Sequence, residues 1–240
     1  MTDGVAGTQS LRRARSGPAA APDRDLLLIV LTVSSGAVDA ISFLALGKVF
    51  TAFMTGNLVF LGIGIGGPGG PRLAGPLVSL AAFAAGVLLA GVVTGAGRTS
   101  RALALAAGFE VAFLLVWVSV PGAPGDAALD LLIGLSAVAM GLQSGAVSTL
   151  GVRGIFTTAA TATVITLMAG ATDRTDTGER VRLMQVLAAL IAGAAAGALL
   201  LDHARTYAPV LPAGLALVAA VGFARADPRP SRSRRVPAAG

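Results

Sequence analysis

Leu26-Leu27-Leu28-Ile29-Val30-Leu31-Thr32-Val33-Ser34-Ser35-Gly36-Ala37-Val38-Asp39-Ala40-Ile41-Ser42-Phe43-Leu44-Ala45-Leu46 contains no lysine or arginine. A helix needs about 20 mostly apolar residues to cross a bilayer, and residues 26–46 supply them. The stretch is too long for the core of a secretory leader, and no small-residue cleavage site ends it, so it is expected to stay as a first span. Its apolar residues lie all round a helix and lack the two-residue alternation of a barrel strand. Backbone in lipid must bond within its own segment, which leaves a helix as the fold.

Seven further apolar segments follow, at 49–66, 77–97, 102–120, 127–150, 154–171, 183–202 and 207–224, again without lysine or arginine. The second and sixth are short and open on threonine-rich runs, so they are expected to be half-helices. The whole chain agrees: 55% of residues are hydrophobic and 12% charged, about half the charged share of a soluble domain. The expected fold is an all-α integral membrane protein, a polytopic helix bundle of six spans plus two short broken helices. Residues 1–24 and 225–240, rich in arginine, proline and small residues, are expected as disordered tails around a membrane domain over 25–224.

The membrane domain reads as a two-fold internal repeat, with halves at about 26–120 and 127–224. An offset of 106 residues lays the first four segments on the last four without a gap. Ala40, Ser42, Leu44, Phe50, Thr51, Thr55 and Leu61 fall on Ala146, Ser148, Leu150, Phe156, Thr157, Thr161 and Leu167. Arginine placement decides between eight spans and six. Eight crossings put 13 of the 18 basic residues in the cytoplasm, whereas six put 15 there and leave the uncharged-by-lysine-or-arginine loop 121–126 outside. The positive-inside rule therefore favours six spans with both termini cytoplasmic, their basic tails facing an anionic leaflet. Three spans per half make the repeats antiparallel, an arrangement common among secondary transporters. Gly91-x-x-x-Gly95, Gly141-x-x-x-Gly145 and Gly193-x-x-x-Gly197 are expected to serve packing within the bundle.

Two acids lie deep inside the apolar segments, away from their ends. Asp39 sits in the first and Glu110 in the fourth, and carboxyl groups at such depth commonly face protein or water and mark ion pathways. Thr32, Ser35, Asp39 and Ser42 recur at helical spacing and form one polar stripe. Asp39 is read as a proton or cation site; hydrogen bonding to Ser, Thr or backbone is the bland alternative, which is favoured for Glu110. The run Val49-Phe50-Thr51-Ala52-Phe53-Met54-Thr55-Gly56-Asn57 is the other polar feature. Gly56 is expected to loosen the backbone, and Thr51, Thr55 and Asn57 to offer polar groups. A half-helix starting here would aim its amides into the bundle. Its repeat mate carries Thr157 and Thr161, and Gln143 and Ser144 lie on the adjoining fifth segment.

Gly36-Ala37-Val38-Asp39-Ala40-Ile41-Ser42-Phe43-Leu44, then Val49-Phe50, Met54-Thr55-Gly56-Asn57 and Leu61-Gly62, resembles the signature of the YoaK-like bacterial membrane proteins, a domain-of-unknown-function family. The resemblance implies a six-span protein of the bacterial inner membrane and places the family's acid on Asp39 and its Thr-Gly-Asn on Thr55, Gly56 and Asn57. In the second half, Thr161-Ala162 departs from the Thr-Gly that the family tends to repeat.

These readings narrow the function. Cysteine is absent and His203 is the only histidine, so neither thiolate nor multi-histidine metal sites can be built, and no cofactor is expected. No aromatic or fold motif accompanies the terminal arginines, which argues against nucleic acid as a partner. An enzyme is disfavoured: Leu142 stands where a Gly-x-Ser-Gly run around Ser144 needs glycine, and no nucleophile–base pair is complete. The favoured expectation is a small-solute transporter or permease, with a proton as possible co-substrate; a non-transporting scaffold or assembly partner is the alternative.

Overall fold

The computed structural model describes residues 22–67, 72–94, 99–120, 122, 124–150, 160–169 and 177–226. They form α1 (Pro22–Ala45), α2 (Met54–Gly66), α3 (Ala74–Thr94), α4 (Thr99–Ser119), α5 (Asp126–Ser148), α6 (Ala160–Ala169), α7 (Thr177–His203), a single 3-10 turn (Arg205–Tyr207) and α8 (Val210–Ala226). Six are long and apolar enough to cross a membrane: α1, α3, α4, α5, α7 and the 3-10 turn with α8. The bundle is apolar outside as well as inside. Leu88 and Val92 of α3 are 74% and 79% exposed, as a surface solvated by lipid tails requires.

Contacts fix the direction of each helix. The α5 residue Gln143 reaches the Leu31 carbonyl of α1, while Leu132 and Ile133 cluster with Ile41 and Leu46, so α1 and α5 are antiparallel. Gly75 meets Ile133 and Ala90 meets Gly145, so α3 and α5 are parallel. It follows that α1 and α3 run in opposite directions, and that α2 leaves and re-enters at one face. At 13 residues, α2 spans about 20 Å, less than the roughly 30 Å of a hydrocarbon core. By the same reasoning α7 runs parallel to α1, through Asp25–Arg182 and Ala37–Gly197. The α8 helix opposes α1, with Leu27 against Gly222 and Ser34 bonded to the Pro212 carbonyl. The α4 helix opposes α5: Phe113 and Trp117 cluster with Leu132 and Ile133, while Leu103 and Ala106 cluster with Leu142 and Ala146. The six long helices therefore alternate up and down, and the start of α1 and the end of α8 share a face.

The same contacts carry the repeat. The pairs α3–α5 and α1–α7 are the tightest, and the 106-residue offset exchanges them; α4–α5 and α1–α8 likewise exchange, as do α2–α3 and α6–α7. Because α1 ascends where its counterpart α5 descends, the two halves are inverted. The close approach of Gly36 to Leu190 maps to Leu142–Ala84, one residue from the observed Gly141–Phe83 contact. A Cβ at Gly197 would lie 2.7 Å from the Ala37 carbonyl oxygen, and one at Gly145 would lie 2.6 Å from the Ala90 Cβ. These glycines let helix backbones touch, and packing of that kind holds helices together where lipid removes the hydrophobic drive. The expectation for the 141/145 and 193/197 pairs is met inside one chain. Gly91 has open space around it, and Gly95 lies outside the described residues.

Candidate functional site

The site is built on a break in the helical pattern after α1. Gly47 and Lys48 both take positive φ, 83° and 62°, a left-handed turn that glycine enters freely and lysine enters at some cost. The turn sends the chain back alongside α1. Residues 49–53 are not helical, and α2 begins only at Met54, not at 49 as the apolar run suggests. Non-helical backbone at this depth must find bonding partners inside the protein.

Each partner is a named side chain. The Asp39 carboxylate, on the eighteenth residue of α1, accepts the Thr51 amide at 2.9 Å and the Ala52 amide at 2.8 Å. Asn57, fully buried on α2, acts as a substitute strand: its Oδ1 accepts the Phe50 amide at 3.0 Å, and its Nδ2 donates to the Phe50 carbonyl at 2.6 Å. Ser79 of α3 donates to that carbonyl at 2.6 Å and accepts from Asn57 Nδ2 at 3.0 Å. The Thr51 hydroxyl accepts from Ser136 of α5 at 3.1 Å. Ser136 Oγ also lies 3.5 Å from Glu110 Oε1, so Thr51 sits between the two intramembrane acids.

The polar stripe expected on α1 divides. Thr32 bonds back to the Leu28 carbonyl and Ser42 back to the Asp39 carbonyl, satisfying their own helix as hydroxyls in membrane helices often do. Ser35 is 1% exposed and its hydroxyl has no partner. Other expectations need correction. Thr55 and Thr161 are exposed on α2 and α6, away from the interior of the bundle. Gly56 is not a loosened hinge. It lies within α2, and a Cβ there would meet the Phe50 ring at 2.7 Å, so glycine is needed for ring packing. Gln143 and Ser144 both keep a buried oxygen without a partner, although Gln143 also ties α5 to α1. Thr157 lies outside the described residues. Ser79 and Ser136 are additions of the structure: Ser79 is the one serine of segment 77–97, whereas Ser136 shares 127–150 with Ser144 and Ser148, so its spacing carries no distinguishing signal.

Beside this break lies a groove of about 530 Å³, walled by Gly36, Asp39 and Phe43 of α1, Phe50, Phe53 and Ala194 among others. The rings of Phe43 and Phe50 stack 5.0 Å apart, and Phe53 meets Phe50 edge-on at 5.4 Å. Several cations among the described residues are engaged away from Asp39. Arg182 pairs with Asp25, Arg72 with Asp126 and Asp130, and Lys48 stands over the Phe43 ring at 4.7 Å. Asp202 and His203 pair at the end of α7, and Arg225 lies in the last turn of α8. Among the described residues, the partners of the Asp39 carboxylate are backbone amides. Glu110, 0% exposed, has Ser136 near one oxygen and, among the described residues, no partner at the other. Among the described residues no cluster of three metal-ligating side chains occurs.

The family model described as protein of unknown function (DUF1275) matches residues 27–222. The chain belongs to the DUF1275 family. One relative in it is the UPF0700 transmembrane protein YoaK of Bacillus subtilis (strain 168), 35% identical over 152 residues, or 62% of this chain and 68% of the relative. No solved structure matches. This DUF1275 chain is thus a multi-pass membrane protein, and the expected resemblance is met over the whole bundle.

Proposed function

We propose that the protein is a small-solute carrier of the bacterial inner membrane, with both termini cytoplasmic and Asp39 as the site that couples solute movement to a proton or cation. The observation that carries this reading is the re-entry of the chain at Thr51 and Ala52, whose amides meet Asp39. Inverted repeats with a broken helix at the substrate level are the frame on which many carriers alternate access. Two halves that exchange contacts under the repeat, as α3–α5 and α1–α7 do, can reach a mirrored state by rocking one half against the other. The acids break that symmetry, because Asp39 corresponds to Gly145 and Glu110 to Ala216. A single coupling acid then serves both halves. The carrier reading also places the arginine-rich face, with Arg24, Arg101, Arg182 and Arg225, in the cytoplasm.

The test is transport current in proteoliposomes under an imposed pH gradient, across a panel of amino acids, sugars and organic ions. Wild type should give a current with at least one class, and Asp39→Asn should abolish it while remaining monodisperse. A wild-type protein silent across the panel, or an Asp39→Asn variant as active as wild type, rejects the reading.

A further inference from the structure

The groove beside Asp39 combines three properties that together specify a ligand. Among the described residues, its one ionisable lining residue is a carboxylate. Its aromatic wall is made of Phe43, Phe50 and Phe53, with Phe50 in contact with the other two. The rest of its wall is aliphatic or small: Gly36 and Ala194, with Ala198 of α7 nearer the mouth. At about 530 Å³ it lies within the usual range of small-molecule sites, roughly 300–1,000 Å³.

Charge complementarity excludes most occupants. An anion would meet Asp39. A sugar would bury hydroxyl groups against rings and methyls with one carboxylate to bond, leaving most of them unsatisfied. A metal ion would find one oxygen-bearing side chain where it needs several. A monovalent organic cation with an apolar body suits the described walls: its charge faces Asp39, and its body covers the phenylalanines and the alanines. The chain already shows that the rings accept a cation, since the Lys48 ammonium stands 4.7 Å from the Phe43 centroid. The mouth is bordered by Leu44 and Phe53, which are 50% and 36% exposed on the apolar surface, so an amphiphilic ligand can enter from the lipid side.

We propose that this groove is a binding site for lipophilic organic cations, with Asp39 as the counter-charge and Phe43, Phe50 and Phe53 as the aromatic wall. The proposal deepens the carrier reading by naming its substrate class, and rests on it only for what the site is used for. Lys48 then competes with the ligand for the Phe43 ring and tunes affinity from the turn above.

The experiment is equilibrium binding of tetraphenylphosphonium to the purified full chain in detergent, with tetraphenylborate as a size-matched anion. Wild type should bind the phosphonium saturably and the borate not. Asp39→Asn should weaken binding by roughly tenfold or more, the scale on which exchanging a charged for a neutral partner acts. Phe50→Leu should weaken it by roughly threefold to thirtyfold, as loss of a ring–cation contact does. Ala198→Phe, which fills the groove without touching Asp39, should also abolish binding and covers the case of an Asp39 variant that does not fold. Lys48→Gln should tighten it. Equal binding of phosphonium and borate, or an undiminished affinity in folded Asp39→Asn or Ala198→Phe, overturns the site, as does the absence of saturable binding to wild type. Phosphonium binding without flux of any solute rejects the carrier and keeps the site. Flux of a neutral or anionic solute without phosphonium binding does the reverse.

Discussion

Asp39 and Thr51 meet across the only turn that separates α1 from the re-entrant segment: the Thr51 amide donates to the Asp39 carboxylate at 2.9 Å, with the Ala52 amide beside it. The acid is therefore part of the scaffold of the break as well as its charge. Truncation and neutralisation should have different effects. Asp39→Ala leaves two interior amides unpaired, at about 1–3 kcal/mol each, and should lower the thermal midpoint in detergent by many degrees. Asp39→Asn retains an acceptor oxygen and should unfold close to wild type. Equal destabilisation by the two variants contradicts the assigned bonds.

Asn57 should be the most sensitive polar residue on α2. It bonds both backbone groups of Phe50 and also Ser79. Asn57→Asp removes the two donors, places a carboxylate against the Phe50 carbonyl, and should cost as much as Asn57→Ala, or about 2–5 kcal/mol. Thr55→Val, on an exposed position of the same helix, should be neutral. Thermal unfolding of the three variants decides the ranking.

The glycine crossings divide sharply by position. A side chain at Gly193 or Gly197 would run into the backbone of α1 at Val33 and Ala37. Gly197→Leu should therefore split the α1–α7 pair and yield aggregated or degraded protein. Gly91→Leu, with open space around it, should express normally, although the repeat places it opposite Gly197. Size-exclusion profiles compare the two directly.

Sidedness is testable in a chain without cysteine. Arg72→Cys and Arg101→Cys should react with an impermeant maleimide from opposite sides of intact cells, because α3 joins their faces in one crossing. Arg72 reports the outer side if the basic face is cytoplasmic. Labelling of both from one side contradicts the six-span path. Because Arg72 holds Asp126 and Asp130, Asp126→Cys provides a second reporter for the same face.

Glu110 and Ser136 should matter less for folding than Asp39. Ser136 offers one hydroxyl proton to two neighbours, Thr51 and Glu110, so Ser136→Ala removes one bond at about 0.5–1.5 kcal/mol. Glu110→Gln keeps both the volume and an acceptor and should fall within about 1 kcal/mol of wild type. A thermal shift as large as that of Asp39→Ala would assign Glu110 a structural role as heavy as that of the re-entrant bond.

The amino-acid sequence by itself determined the helical membrane bundle, the six long spans, the two short segments and the repeat. Each follows from a property that acts locally: lipid accepts no unpaired backbone, a span must reach a fixed thickness, and basic residues stay on one side. Asp39 and Thr51 were visible for the same reason, as polar groups in apolar surroundings. What they bond to was decided only by the tertiary structure. The partners of Phe50 are seven and 29 positions away, and that of the Thr51 hydroxyl is 85 away, so no local spacing could pair them. Thr55 and Thr161 carry the same chemistry as Thr51 yet face outward, because facing depends on where a helix begins. For α2 that start was set at Met54 by the turn at Gly47 and Lys48 and by the packing of Phe50 against Gly56. The groove, too, exists only once α1, α7 and the re-entrant segment are assembled, since its charge, rings and small residues come from three separate parts of the chain.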